Sequence, residues 1–129
     1  MDKLPHVARI LLGAFFFVFG LNGFFDFLPQ PELPEPAMSF IGALVESGYF
    51  MVLLKVTETT CGFLLLIGRF VPLALVVLAP VVLNIILFHL FLAPSGILPA
   101  AVALVLGLYL AWAYRSSFRG VLAARARPG

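Results

Sequence analysis

Lys55 and Glu58 stand three residues apart, deep inside a long apolar run. A charge near the centre of a bilayer costs roughly 2.5 to 3.5 kcal/mol on insertion scales, so two on one helix call for partners or a purpose. The spacing puts both on one helical face and permits an ion pair, although lysine preceding glutamate is the weaker orientation against the helix dipole. Three readings stand side by side: a structural ion pair, a contact for a ligand, or a Glu58 that carries a proton in hydrocarbon.

Other polar residues lie at matching depth. At 1.5 Å per residue from the outer helix ends, Asn22, Lys55, Glu58, Asn84 and His89 fall about 6 to 15 Å deep. Asn22 and Asp26 are four apart and share a face, and Phe15 and Phe19 continue it inward. Thr57, Thr59 and Thr60 add hydroxyls beside Glu58. Pro80 lies mid-span, where it removes the hydrogen bond to the carbonyl of Val76 and bends the helix, and Asn84 follows one turn later on the same face. His89 is five residues beyond Asn84, about 140° round the helix, so the two share a site only if the bend rotates the upper half. The expected ligand-binding set is Asn22, Asp26, Lys55, Glu58, Asn84 and His89, with Phe15, Phe19, Thr57 and Pro80 lining an outward-facing cavity, polar at its mouth and aromatic below.

The elements that position these residues follow from composition. With 63% hydrophobic and 11% charged residues, the chain has too little polar surface to coat a water-soluble globule. A helical membrane span needs about 20 apolar residues, and four such stretches occur, at about 7–28, 48–68, 70–93 and 97–114. The fold class is therefore all-α, a single integral membrane domain of four bundled helices. The first stretch runs on through Phe15–Phe19 and Gly20-Leu21-Asn22-Gly23 without a small-residue cleavage site, so it reads as a retained helix rather than a signal peptide.

Between the first two spans, Pro29, Pro31, Pro34 and Pro36 favour an extended external loop. Phe40, Ile41, Leu44 and Val45 then recur at helical spacing, which predicts a short helix over 37–47 lying in the outer interface, either a simple interfacial helix or a lid. Small residues write the packing: Gly13 and Gly20 on the first span, and Ala103, Gly107 and Ala111 on the fourth, which serve either the bundle itself or a dimer.

Charge sets orientation. Lys3, Arg9, Arg69, Arg115, Arg119, Arg125 and Arg127 fall on one side, while Asp26, Glu32, Glu35 and Glu46 fall on the other, so both termini are expected in the cytoplasm. The basic tail from 115 to 129 lacks interleaved aromatics and a folded platform, which argues against nucleic acid and for contact with anionic lipid. Cys61 is the only cysteine, so no internal disulfide or Cys-x-x-Cys chemistry is available. His6 and His89 lie at opposite ends of their spans and cannot jointly ligate haem. No metal cluster, phosphate loop or self-sufficient catalytic motif is visible, so redox work would need a borrowed cofactor such as a quinone.

Gly20-Leu21-Asn22-Gly23-Phe24-Phe25, then Glu58 followed by Gly62-Phe63-Leu64-Leu65-Leu66-Ile67-Gly68-Arg69, then Pro72-Leu73-Ala74-Leu75 to Ala79-Pro80 together resemble bacterial DoxX-like small membrane proteins. The resemblance covers nearly the whole chain and rests on loose motifs. It implies a four-helix protein of the bacterial inner membrane, with relatives linked to thiosulfate:quinone oxidation or oxidative-stress complexes and more distant ones to assembly or export. It also matches Glu58 and Arg69 to the family's acidic residue and arginine. Two classes of function follow. One is a subunit whose cavity holds a small apolar or quinone-like molecule or a lipid, in service of a redox-linked complex. The other is an assembly protein whose polar cluster contacts a membrane partner or a second copy.

Overall fold

The computed structural model describes residues 3–28 and 32–129. Four helices are long and apolar enough to cross a membrane: α1 (Leu4–Phe25), α3 (Phe50–Ile67), α4 (Val71–Phe91) and α5 (Ile97–Ala113), the last preceded by a 3-10 turn at Pro94–Gly96. A shorter helix, α2 (Glu35–Glu46), joins α1 to α3. No strand occurs among the described residues, and the all-α membrane bundle expected from composition is the architecture found. Part of the expected proline-rich loop, Pro29 to Pro31, lies outside the described residues. The helix anticipated over 37–47 begins two residues earlier, because Pro36 sits in its first turn, where a missing N–H interrupts nothing.

Helix ends follow local chemistry. Leu4 opens α1 with Pro5 in the first turn, and Asp26 closes it in the left-handed region at φ 52°. Gly68 ends α3 at φ 74°, a conformation that a glycine adopts without steric cost, and Pro72 restarts the chain in the first turn of α4. Arg9, on α1, donates from Nη1 to the carbonyls of Leu65 and Leu66 and thereby covers the end of α3, where carbonyls lack intrahelical partners and the dipole favours a cation. Ser47 links α2 to α3 by accepting the N–H of Phe50 at 3.1 Å.

The four long helices form a closed ring in which α1 touches α3 and α5, and α4 touches α3 and α5. Neighbours in the ring run antiparallel, so the α1 N-terminus, the α3–α4 link and the α5 C-terminus share one end. Lys3, Arg9, Arg69, Arg115 and Arg119 gather there, and Asp26, Glu35 and Glu46 lie toward the other. The core inside the ring is built on Leu12 and Phe16 of α1, Leu65 of α3, Leu78 of α4 and Leu110 of α5, each at most 1% exposed. Outside the ring, Leu83, Leu98, Val105 and Trp112 stand exposed, as lipid-facing side chains should.

The closest packing is between α1 and α3, where glycines bring backbone against backbone. A Cβ on Gly62 would lie 2.4 Å from the Phe17 nitrogen, and one on Gly20 would lie 2.6 Å from the Thr59 nitrogen. Gly13 meets the Leu66 nitrogen at 2.9 Å in the same sense. The small residues of α5 behave differently. Ala103 is fully buried in the bundle, whereas a Cβ on Gly107 would meet nothing within 4 Å.

Candidate functional site

The charged pair is buried because of where α3 turns its faces. Glu58, Cys61, Gly62 and Leu65 recur at three- and four-residue spacing and are the buried residues of this helix. The carboxylate therefore points along the same stripe as Leu65, into the bundle. Lys55 precedes it by one turn on that stripe, and its Nζ donates to Glu58 Oε1 at 3.2 Å. The side chains are 21% and 6% exposed respectively, so the lysine stays partly accessible while the carboxylate is enclosed. Among the described residues, Glu58 makes no other ion pair.

A glycine on the facing helix makes room for the lysine. A Cβ on Gly23 would fall 2.4 Å from Lys55 Cγ and 2.6 Å from Cδ, so the aliphatic stem crosses α1 in a slot that any larger residue would fill. One turn further into the bundle, Thr59 sits against Gly20, and its Oγ1 is buried without a hydrogen-bond partner among the described residues. Thr57 instead bonds back to the Leu53 carbonyl at 2.8 Å. Below these groups on α1, Phe15 packs on Phe16 and Phe19 with ring centroids 5.1 and 4.9 Å apart.

Asn22 and Asp26 build the turn that closes α1. Asn22 Oδ1 accepts the N–H of Leu28 at 2.7 Å, and the Asp26 N–H reaches the Asn22 carbonyl at 2.8 Å. Asn22 precedes Gly23 in the chain, and its side-chain oxygen is engaged in the turn. Asp26 is exposed at the acidic end.

The α4 residues lie elsewhere. Asn84 is on the exposed face of the helix, and so is Pro80, through which α4 continues unbroken. His89 is half-buried at the corner between α4 and α5, where Nδ1 lies 2.8 Å from the Ile85 carbonyl, the ring meets Phe88 edge-on, and a Cβ on Gly96 would lie 2.7 Å from Cδ2. The structure therefore pairs Lys55 with Glu58 on α3 and lays the lysine stem against Gly23 of α1, while Asn22 serves the turn after α1, Asn84 lies on the exposed face of α4 and His89 sits against Gly96. No group of three potential metal ligands occurs among the described residues, and Cys61 is a buried free thiol.

Two features escape a reading of the sequence. Gly23 gives no sign that it makes way for a side chain fully thirty-two positions later, beyond lying three residues after Gly20. The other is a groove of about 440 Å³ between α4 and α5, lined by Leu75, Ala79, Leu83, Gly107 and Ala111, with Arg115 at its end. Its only trace in the sequence is the run of small residues on α5.

A family model described as DoxX matches residues 4–91, from the start of α1 to the end of α4. No curated protein and no solved structure matches the chain.

Proposed function

The chain belongs to the DoxX family, and on that premise we propose that it is a multi-pass protein of the bacterial inner membrane that binds a small apolar, quinone-like molecule through Lys55 and Glu58. The observation that carries this reading is the enclosed Glu58 carboxylate, paired with one lysine whose side chain stays partly exposed. An ammonium has three donors, and the bond to Glu58 Oε1 uses one. A head group with a carbonyl or hydroxyl oxygen would take another, while its apolar body rests against the Phe15 and Phe19 rings. Asn22 and Asp26 edge the mouth of the site. In this reading the protein serves as the binding subunit of a redox-linked membrane complex, with both termini in the cytoplasm, as the basic end of the bundle supports.

A second reading, an assembly role, draws on Asn84. A side-chain amide on the exposed face of a membrane helix finds no hydrogen bonds in lipid tails, and a neighbouring helix would supply them. That neighbour would be a membrane partner or a second copy of the chain.

Ultraviolet spectroscopy and native mass spectrometry of the protein purified in mild detergent separate the two. The binding reading expects a stoichiometric chromophore that is retained by wild type and lost from Glu58→Gln. A folded wild type that carries no small molecule, together with an Asn84→Leu variant that releases a copurifying membrane protein, would replace it with the assembly reading.

A further inference from the structure

We propose that the groove between α4 and α5 is a site for an anionic phospholipid, with one acyl chain lying along the groove and the phosphate held by Arg115 and Arg119. The site is separate from the Lys55–Glu58 corner and stands whether or not that corner binds a ligand.

The groove exists because small side chains face each other across the helix pair. Ala79 on α4 and Gly107 and Ala111 on α5 leave a channel whose walls are Leu75, Leu83 and their neighbours. Gly107 is the clearest case, since an added Cβ there would meet no atom within 4 Å. The lining of α4 runs from Leu75 to Ile86, about 16 Å at 1.5 Å per residue. Half of a hydrocarbon core of about 30 Å is about 15 Å, so the channel is as long as one leaflet is deep. That is the fit expected of an acyl chain entering from the basic end.

The head-group end is chemically distinct. Arg115 donates from Nη1 to the Trp112 carbonyl at 2.8 Å, and its guanidinium lies 4.5 Å over the Trp112 ring. It is therefore fixed at the end of the channel, with one of its five N–H donors committed. Arg115 also lines an adjoining polar recess with Ser116 and Arg119. Two arginines and a hydroxyl at the mouth of an apolar channel complement a phosphate on an acyl tail.

Charge also argues against a second copy as the occupant. Two copies inserted the same way round would bring Arg115 and Arg119 of each to the same height, where like charges oppose association. A phospholipid of the leaflet at the basic end brings the opposite charge to that height.

Native mass spectrometry with equal amounts of phosphatidylglycerol and phosphatidylcholine of identical acyl chains tests the proposal. Wild type should keep one phosphatidylglycerol in preference to phosphatidylcholine. The double variant Arg115→Gln/Arg119→Gln should lose that preference by roughly thirtyfold, and Gly107→Leu, which fills the channel, should lose both lipids while keeping the melting temperature. Equal retention of the two lipids by wild type would overturn the proposal, as would an unchanged preference in the arginine variant. So would a wild-type dimer that Gly107→Leu converts to a monomer. If Gly107→Leu fails to fold, the arginine arm decides alone. A chromophore bound at the Lys55–Glu58 corner is read at a different mass and should survive both groove variants, so the two proposals fail separately.

Discussion

Removing Lys55 should cost far more than removing Lys55 and Glu58 together. In Lys55→Met the Glu58 carboxylate remains, 4% exposed and without the one cation that pairs with it among the described residues. Breaking a buried pair from one side costs about 3 to 5 kcal/mol. The lysine side chain is 21% exposed, which puts the cost at the lower end, about 3 kcal/mol. Glu58→Gln is milder, because the lysine stem in its Gly23 slot can carry the ammonium toward the acidic end, and about 1 to 2 kcal/mol is expected. Independent effects would sum to about 4 to 5 kcal/mol in the double variant, whereas a pair acting as a unit leaves a loss of about 1 kcal/mol or less, since two neutral side chains of similar shape replace two charges. For a chain of this length each kcal/mol moves the melting temperature by about 3 to 5 °C. Melting curves by circular dichroism, in one detergent at one concentration, should therefore show Lys55→Met lowered by roughly 9 to 15 °C and the double variant within about 5 °C of wild type. Additive losses would refute the idea that α3 carries these charges as one unit.

Further outcomes follow from the packing and from the one-sided charge. Gly62→Ala should lower stability by about 2 kcal/mol or more, because its Cβ would sit 2.4 Å from the Phe17 nitrogen; Gly107→Ala should raise it by about 0.5 to 1 kcal/mol, because open space surrounds that position and alanine favours helix, and the same melting assay reads both signs. Arg9→Met should cost about 2 kcal/mol by uncovering the Leu65 and Leu66 carbonyls, with Arg9→Lys recovering part of it in the same assay. Labelling of intact cells with an impermeant maleimide should modify Ser39→Cys and spare Ser117→Cys, since Ser39 lies on α2 at the acidic end, Ser117 lies at the basic end, and native Cys61 is buried.

Most of the fold is written in features with long runs and simple physics. Four apolar stretches, a glycine after α3, a proline in the first turn of α4 and one-sided arginines each act locally, and together they specify the helices and their alternation. Lys55 and Glu58 were legible for the same reason, because a charge in hydrocarbon is conspicuous wherever it falls. Asn84 and His89 were not, because depth along a helix says nothing about rotation around it. Asn84 shares its height with Glu58 yet faces out, and His89 turns to the Ile85 carbonyl of its own helix. Nor does a sequence say which small residues admit a neighbour and which leave a gap. Gly62 is pressed against a backbone, and Gly107 opens a groove.

That difference between glycines sets the routes by which anything can reach the interior. From Gly13 against Leu66 through Gly20 against Thr59, α1 and α3 meet backbone to backbone, which leaves no volume between them for a ligand. The seam relaxes only at Gly23, and the Lys55 stem already occupies that space. A molecule that recognises the charged pair must therefore come from the acidic end or from the α4 side of α3, and widening the seam would loosen the bundle before it enlarged a pocket. Between α4 and α5 a channel forms over the small side chains of Ala79, Gly107 and Ala111. Polar recognition at one corner and apolar accommodation on the other side thus share no lining residue, so substitutions should separate them cleanly.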